Sequence, residues 1–174
     1  FLSTANVLYT ACRIVIANSK TITNYGIVTI ENSIEGLGAN STWTNAANST
    51  LKCGKDLLIT GILNASASGN LVEYYSPDDR YVKQASSNQY YHLSISSSGI
   101  KTLSSNTDVN GNLTITGILD VSFSNYKINL AGNWSNINSF YCQNGEVEFD
   151  GSADQAITNF AGETFYNLTV NKSS

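Results

Sequence analysis

The sequence predicts an all-β chain wound as a parallel β-helix, a β-solenoid of about nine coils of roughly 16 to 20 residues each. Three observations predict it. The chain matches itself at long offsets, its apolar residues alternate with polar ones, and Asn and Gly mark the breaks in that alternation. A right hand is expected, as in the commonest solenoids.

Shifted by 75 residues, positions 72–99 fall on 147–174 without a gap. Val72, Glu73, Asp79, Tyr91, Leu93 and Ser98 meet identical residues, and Tyr74, Val82, Gln84, Tyr90, Ser94 and Ile95 meet similar ones. An offset of 56 lays residues 57–70 on 113–126 with eight identities, including the run Ile-Thr-Gly-Ile-Leu that begins at Ile59 and at Ile115. Trp43-Thr44-Asn45 returns as Trp134-Ser135-Asn136, 91 residues on. The offsets differ by 75 − 56 = 19 and 91 − 75 = 16, as they would if whole units of that size were present in one copy and absent from the other. A β-sandwich also suits short strands and frequent turns, but an inserted unit merely lengthens a solenoid, whereas it would disrupt the strand order of a sandwich.

Taken along the chain, residues 1–42 follow the pattern loosely, through Ile22-Thr23-Asn24-Tyr25 against Ile157-Thr158-Asn159-Phe160. They are expected as N-terminal coils, a cap or a joint to a neighbouring subunit, and residues 43–174 as the repeat region. There Ile59, Leu63, Ala65 and Ala67 stand against Ile115, Leu119, Val121 and Phe123, all expected inward. Tyr91, Leu93 and Ile95 stand likewise against Tyr166, Leu168 and Val170. Corners are expected at Asn24-Tyr25-Gly26, Cys53-Gly54, Asn110-Gly111, Asn144-Gly145 and Asp150-Gly151.

Composition narrows the function. Hydrophobic residues make up 41% of the chain, with 10 Tyr, 6 Phe and 2 Trp, far from the make-up of disordered tails. Only 13% are charged, the net charge is −4, and the nine Lys and Arg are scattered, so nothing supplies the counterion-releasing surface that nucleic acid requires. No apolar run approaches the roughly 18 to 20 residues of a membrane span. The chain has no Met and stops within its own pattern at Asn171-Lys172-Ser173-Ser174, so a piece of a longer processed chain is expected, any signal or anchor lying elsewhere.

Catalytic and metal chemistry find little to work with. Cys12, Cys53 and Cys142 are an odd number at wide spacing with a single histidine, which gives zinc no support, and no cofactor or metal is expected. The repeat alignment places Cys53 on Val109 and Cys142 on Ala67, at inward parity, so both read as small buried hydrophobes, although an extracellular setting would also permit a disulfide. His92 aligns with Asn167 and reads as a solvated surface residue. Asp79 recurs as Asp154 and Glu73 as Glu148, so these acids follow the repeat rather than forming one asymmetric catalytic constellation. Thr21-x-Thr23, Thr42-x-Thr44 and Thr114-x-Thr116 could form a water-ordering ladder, but most coils lack the motif and strand propensity accounts for it.

Tyr75 and Tyr90 sit at the parity opposite to Tyr74 and Tyr91 and are expected to face outward, where an exposed ring can stack on a sugar or a partner protein. Seven Asn-x-Ser/Thr sequons begin at Asn40, Asn48, Asn64, Asn112, Asn133, Asn167 and Asn171. About five are expected from composition alone, so they are acceptors only where the source glycosylates its surface proteins.

The succession Trp-Thr/Ser-Asn, Val-Glu-Phe-Asp-Gly-Ser-Ala-Asp-Gln-Ala-Ile, Phe-Tyr-Asn-Leu-Thr-Val and Val-Asn-Gly-Asn-Leu-Thr-Ile-Thr-Gly-Ile-Leu-Asp-Val resembles the β-helical repeats of large secreted bacterial and archaeal surface proteins, which are adhesin-like or form filaments and coats. The resemblance runs from about Trp43 onward. It implies a non-catalytic structural protein outside the cell, at its surface, that associates with its own kind or neighbouring subunits through its ends. A carbohydrate-binding module using the outward tyrosines is the alternative, with surface glycans as partners. A polysaccharide lyase or hydrolase using Asp78 or Asp79 is a third.

Overall fold

The computed structural model describes residues 6–172. Runs of two to four residues, rich in Ile, Val, Leu, Thr and aromatics, form strands because alternate side chains can be buried, and Asn, Ser and Gly turn the chain between them. The first coil carries β1 (Val7–Thr10), β2 (Ile14–Ile16) and β3 (Thr21–Asn24), and the second β4 (Ile27–Ile30), β5 (Ile34–Gly36) and β6 (Thr42–Asn45). The third has only β7 (Thr50–Cys53) and β8 (Ile62–Asn64). Three strands return in the fourth, β9 (Leu71–Tyr74), β10 (Arg80–Val82) and β11 (Gln89–Tyr90), and in the fifth, β12 (His92–Ile95), β13 (Ile100–Leu103) and β14 (Thr107–Val109). The sixth holds β15 (Leu113–Ile115), β16 (Ile118–Asp120) and β17 (Ile128–Leu130), and the seventh β18 (Trp134–Asn136), β19 (Ser139–Tyr141) and β20 (Glu146–Phe149). An eighth contributes β21 (Ile157–Thr158) and β22 (Asn167–Val170).

Pairing among the described residues is parallel and joins successive coils, so the strands stack into three sides of a rod. The first side is unbroken, β1-β4-β7-β9-β12-β15-β18-β21. The second runs β2-β5 and then β10-β13-β16-β19, and the third β3-β6-β8 and then β11-β14-β17-β20-β22. Both are interrupted beside the third coil, where the single bridges Ile34–Leu57 and Ala65–Tyr90 carry the stack onward. The fold is therefore the parallel β-solenoid the repeats predict, with eight coils in place of nine and a length of about 38 Å at the ordinary strand spacing.

The core is a set of stacks along the axis. Val28, Leu51, Val72, Leu93, Leu113 and Trp134 stand one above another on the first side, each fully buried. Beside them run Ile30, Cys53, Tyr74, Ile95 and Ile115. Burial of each large side chain contributes roughly 2 kcal/mol, and the stack offsets the ordering of many short strands. Asparagines close two inner corners. Asn24 Nδ2 donates to Asn45 Oδ1 one coil on (3.2 Å) and to Thr50 O (2.9 Å), and Asn45 Oδ1 also accepts the Trp43 indole N–H (2.9 Å).

One step of the helix is longer than the repeat offsets implied. Register partners are 20 residues apart at Val7–Ile27, 23 at Ile27–Thr50 and 21 at Thr50–Leu71 and Leu113–Trp134. The matching segments also lie on different sides. Ile62–Asn64 is on the third side and Ile118–Asp120 on the second, eight sides further along the winding. The offset of 75 spans eleven sides and that of 91 spans thirteen, about seven residues per side in every case. The repeating unit is thus one strand and one corner, three of which make a coil, rather than a whole coil of 16 to 20 residues. The reason is local: each side demands the same in-out-in strand and the same close corner. Gly61 and Gly117 of the shared run show it, since a Cβ would stand 2.5 Å from Ser41 O at the first and 2.3 Å from Ser97 O at the second.

Parity does not carry through corners, and this corrects several expectations. Ile59 is 79% exposed and Phe123 88%, both expected inward. Leu58, fully buried at φ 47, turns the chain into the left-handed region and throws Ile59 outward. A corner separates Tyr90 from His92, so Tyr90 faces the core of the third side while Tyr91 sits half-buried in the corner.

Candidate binding surfaces

The first surface is the end of the eighth coil. Leu168 and Val170 stand in register above Val147 and Phe149, which are 1% and 4% exposed, yet are themselves 48% and 66% exposed. Ile157 and Phe160 of the same coil are also open. Part of the core here is covered by the segment before β22. Phe165 packs edge-on against Trp134, ring centroids 5.2 Å apart, and Glu163 Oε2 accepts from the Trp134 indole (2.6 Å) and the Asn136 amide (2.8 Å). In the interior copy of this Trp-x-Asn motif the indole of Trp43 bonds to Asn45 instead.

Of the two tyrosines expected outward, Tyr90 is 1% exposed. Its hydroxyl meets Tyr74 Oη at 2.9 Å and donates to Lys83 O, while Lys83 N–H donates to Tyr74 Oη (3.0 Å). Burial raises the pKa of both phenols. Tyr75 is half-buried with its hydroxyl enclosed and unbonded, and burial followed by the Glu31 carboxylate raises its pKa. The pair is not an exposed stripe, and the structure does not bring the two rings together on one outer face.

The sequon residues lie at corners and on outer faces. Asn40, Asn48, Asn112, Asn133, Asn167 and Asn171 are exposed, and Asn64 is half-buried with its amide on Thr44 Oγ1 (3.1 Å). Asn112 and Asn133 also belong to a corner ladder. Asn112 N–H donates to His92 Nδ1 (2.9 Å), Asn133 N–H to Asn112 Oδ1 (2.9 Å) and Ala156 N–H to Asn133 Oδ1 (2.8 Å). His92 is half-buried, and that burial lowers its pKa. Asp79 acts similarly at another corner, accepting from Ile100 N–H (2.8 Å), while Asp78 pairs with Arg80 at 3.1 Å.

All three cysteines are free thiols: Cys12 is exposed, Cys142 half-buried and Cys53 buried, its pKa pushed up to about 11 chiefly by that burial. Thr21 and Thr23 stack on Thr42 and Thr44, whereas Thr114 is on the first side, so the threonine array spans two coils. No helix among the described residues is long and apolar enough to cross a membrane.

The second surface is a groove the sequence reading missed. It lies on the second side where the third coil has no strand, with a volume of about 490 Å³, lined by Asp56, Ile59, Tyr81, Lys83, Gln84 and Ser104 over buried Leu57 and Val82. Tyr81 projects from β10 with 73% of its surface exposed. A smaller groove of about 200 Å³ lies across Ile59, sharing Asp56 and Ile59 and adding Glu35, Leu37 and Thr60. One signal was available in the sequence: at offset 75 Tyr81 faces Ala156, an aromatic set where its copy has a methyl. Comparison of the chain with protein-family models, with characterised proteins and with solved structures finds no match.

Proposed function

We propose that this chain is a structural, non-catalytic extracellular repeat protein, a stretch of a cell-surface adhesin, filament or surface coat that associates with neighbouring subunits through its ends or outer face. The observation that carries the reading is the winding itself, eight coils whose first side is one unbroken parallel ladder from β1 to β21, a rod that coils stacked on it merely lengthen. A further coil stacked on β22, whether of the same chain or of a neighbour, would remove the apolar surface of Leu168 and Val170 from water and pair the strand edge. The role is mechanical: one hydrogen-bond ladder runs the length of the rod on the first side, and side-chain stacks hold the coils together.

Electron microscopy of native material tests it directly, with ordered fibres or sheets expected at a repeat that matches the rod, or stalks if the chain serves an adhesin. In solution, sedimentation should show concentration-dependent association that Leu168→Lys with Val170→Lys abolishes while the circular dichroism spectrum is retained. Protein that stays monomeric at every concentration, from a source without ordered surface material, would overturn the proposal. A lyase or hydrolase reading would instead require turnover lost on Asp78→Asn or Asp79→Asn.

A further inference from the structure

We infer that the groove on the second side, running from the third coil across the fourth to the fifth, binds a neutral saccharide, with Tyr81 as the platform on which a sugar ring stacks. The inference stands apart from association through the end of the rod. The groove is built into the backbone. Leu58 holds a left-handed conformation that costs a non-glycine residue energy, and the result is the outward turn of Ile59 and the missing strand that open the space. At about 490 Å³ it has the size of small-molecule sites, and the adjoining groove across Ile59 extends it toward a second sugar unit.

Its chemistry selects the ligand. Tyr81 is fixed on a strand, and its register partner on the next coil is Thr102, too small to cover the ring. Around it the polar groups keep hydrogen-bonding capacity in hand. The Asp56 carboxylate meets Arg80 Nε only at 3.6 Å, Gln84 commits its amide N–H to Asn88 Oδ1 (2.7 Å) and leaves its oxygen free, and Ser104 Oγ donates to Val82 O (2.6 Å) and can still accept. Lys83 Nζ reaches Ile59 O at 3.5 Å and retains its other donors. Donors and acceptors flanking one exposed aromatic ring match vicinal sugar hydroxyls, each of which gives and takes a hydrogen bond. Charge argues for a neutral ligand, because Asp56 and Asp78 balance Arg80 and Lys83. An extended peptide is less well served: the open edge of β10 is only three residues long, and beyond it the Lys83 N–H and carbonyl are already held by the Tyr74 and Tyr90 hydroxyls.

Isothermal titration calorimetry of the whole chain with cellohexaose, chitohexaose and maltohexaose, and with hexagalacturonate as the anionic comparison, tests the assignment. At least one neutral hexasaccharide should bind with a micromolar to millimolar Kd. Tyr81→Ala should weaken that binding by about tenfold or more, Tyr81→Phe should retain it, and Tyr75→Ala should leave it unchanged. The exposure of Tyr81 makes loss of fold an unsuitable excuse, and circular dichroism of each variant checks it. Heat with none of the neutral sugars at millimolar concentration, preference for hexagalacturonate, or a Tyr81→Ala variant that alters sedimentation of the protein but not sugar binding would each overturn it, the last by making the groove a contact between copies.

Discussion

At the scale of single residues, the corners decide more than the strands. His92 is the first rung of a ladder continued by Asn112 and Asn133, and its Nδ1 can accept from Asn112 N–H only while the ring is neutral. Partial burial holds its pKa below the ordinary 6.5, so the unfolded chain takes up the proton first. Stability from this group is therefore complete above about pH 6.5 and is lost as the pH falls through that value toward the folded pKa. Urea unfolding at about pH 7.5 and pH 5.5 should show this loss in the natural chain and a smaller one in His92→Asn, whose amide can fill the rung as its neighbours do. An identical pH slope in the two proteins would remove His92 from the account. The buried Asn24 and Asn45 follow the same logic without titrating, each donating its amide to the coil stacked on it while its oxygen accepts locally, from Gly26 N–H at Asn24 and from the Trp43 indole at Asn45.

At the scale of elements, register is enforced from both faces of each strand. Inside, apolar side chains must stack. Outside, Lys52 lies in register with Glu73 at 2.9 Å and Arg13 Nη1 meets Glu35 at 3.0 Å, exposed pairs that add little stability but penalise a slip. The eighth coil depends on one such element. Glu163 gathers the Trp134 indole and the Asn136 amide, and Phe165 follows it onto the core. Glu163→Ala leaves both buried donors unpaired and should cost about 2 kcal/mol. Because the damage is at one end, hydrogen exchange should accelerate in β21 and β22 while β9 and β12 keep their protection. Uniform acceleration across all coils would mean that the end coil is not a separate unit.

For the whole molecule, contacts reach only the coils above and below, so stability is close to a sum over neighbours. Removal of residues 113–133 takes out one turn, since 134 − 113 = 21 brings Trp134 into the place of Leu113. Leu93 then meets Trp134, and Asn112 can receive the Ala156 N–H that Asn133 held. The shortened chain should fold and melt in a single transition with the same far-ultraviolet signature. Global unfolding of this deletion would count against a modular rod.

The sequence by itself determined the solenoid, because alternation, Asn and Gly corners and self-similarity are local demands that each segment must meet wherever it lies. Leu63, Leu93, Ile95, Ile115 and Leu119 were legible as core for that reason. The same locality concealed the coil length: a strand-and-corner of about seven residues serves any of the three sides, so matching segments were a whole number of sides apart but not of coils. Tertiary structure alone decided the direction of Tyr90, Ile59 and Tyr81. Period-two counting loses its phase at a corner, and only the winding at Leu58 and at Tyr91 restores it. The groove was hidden for the same physical reason, since Asp56, Tyr81 and Ser104 stand on three successive coils and meet only when those coils stack.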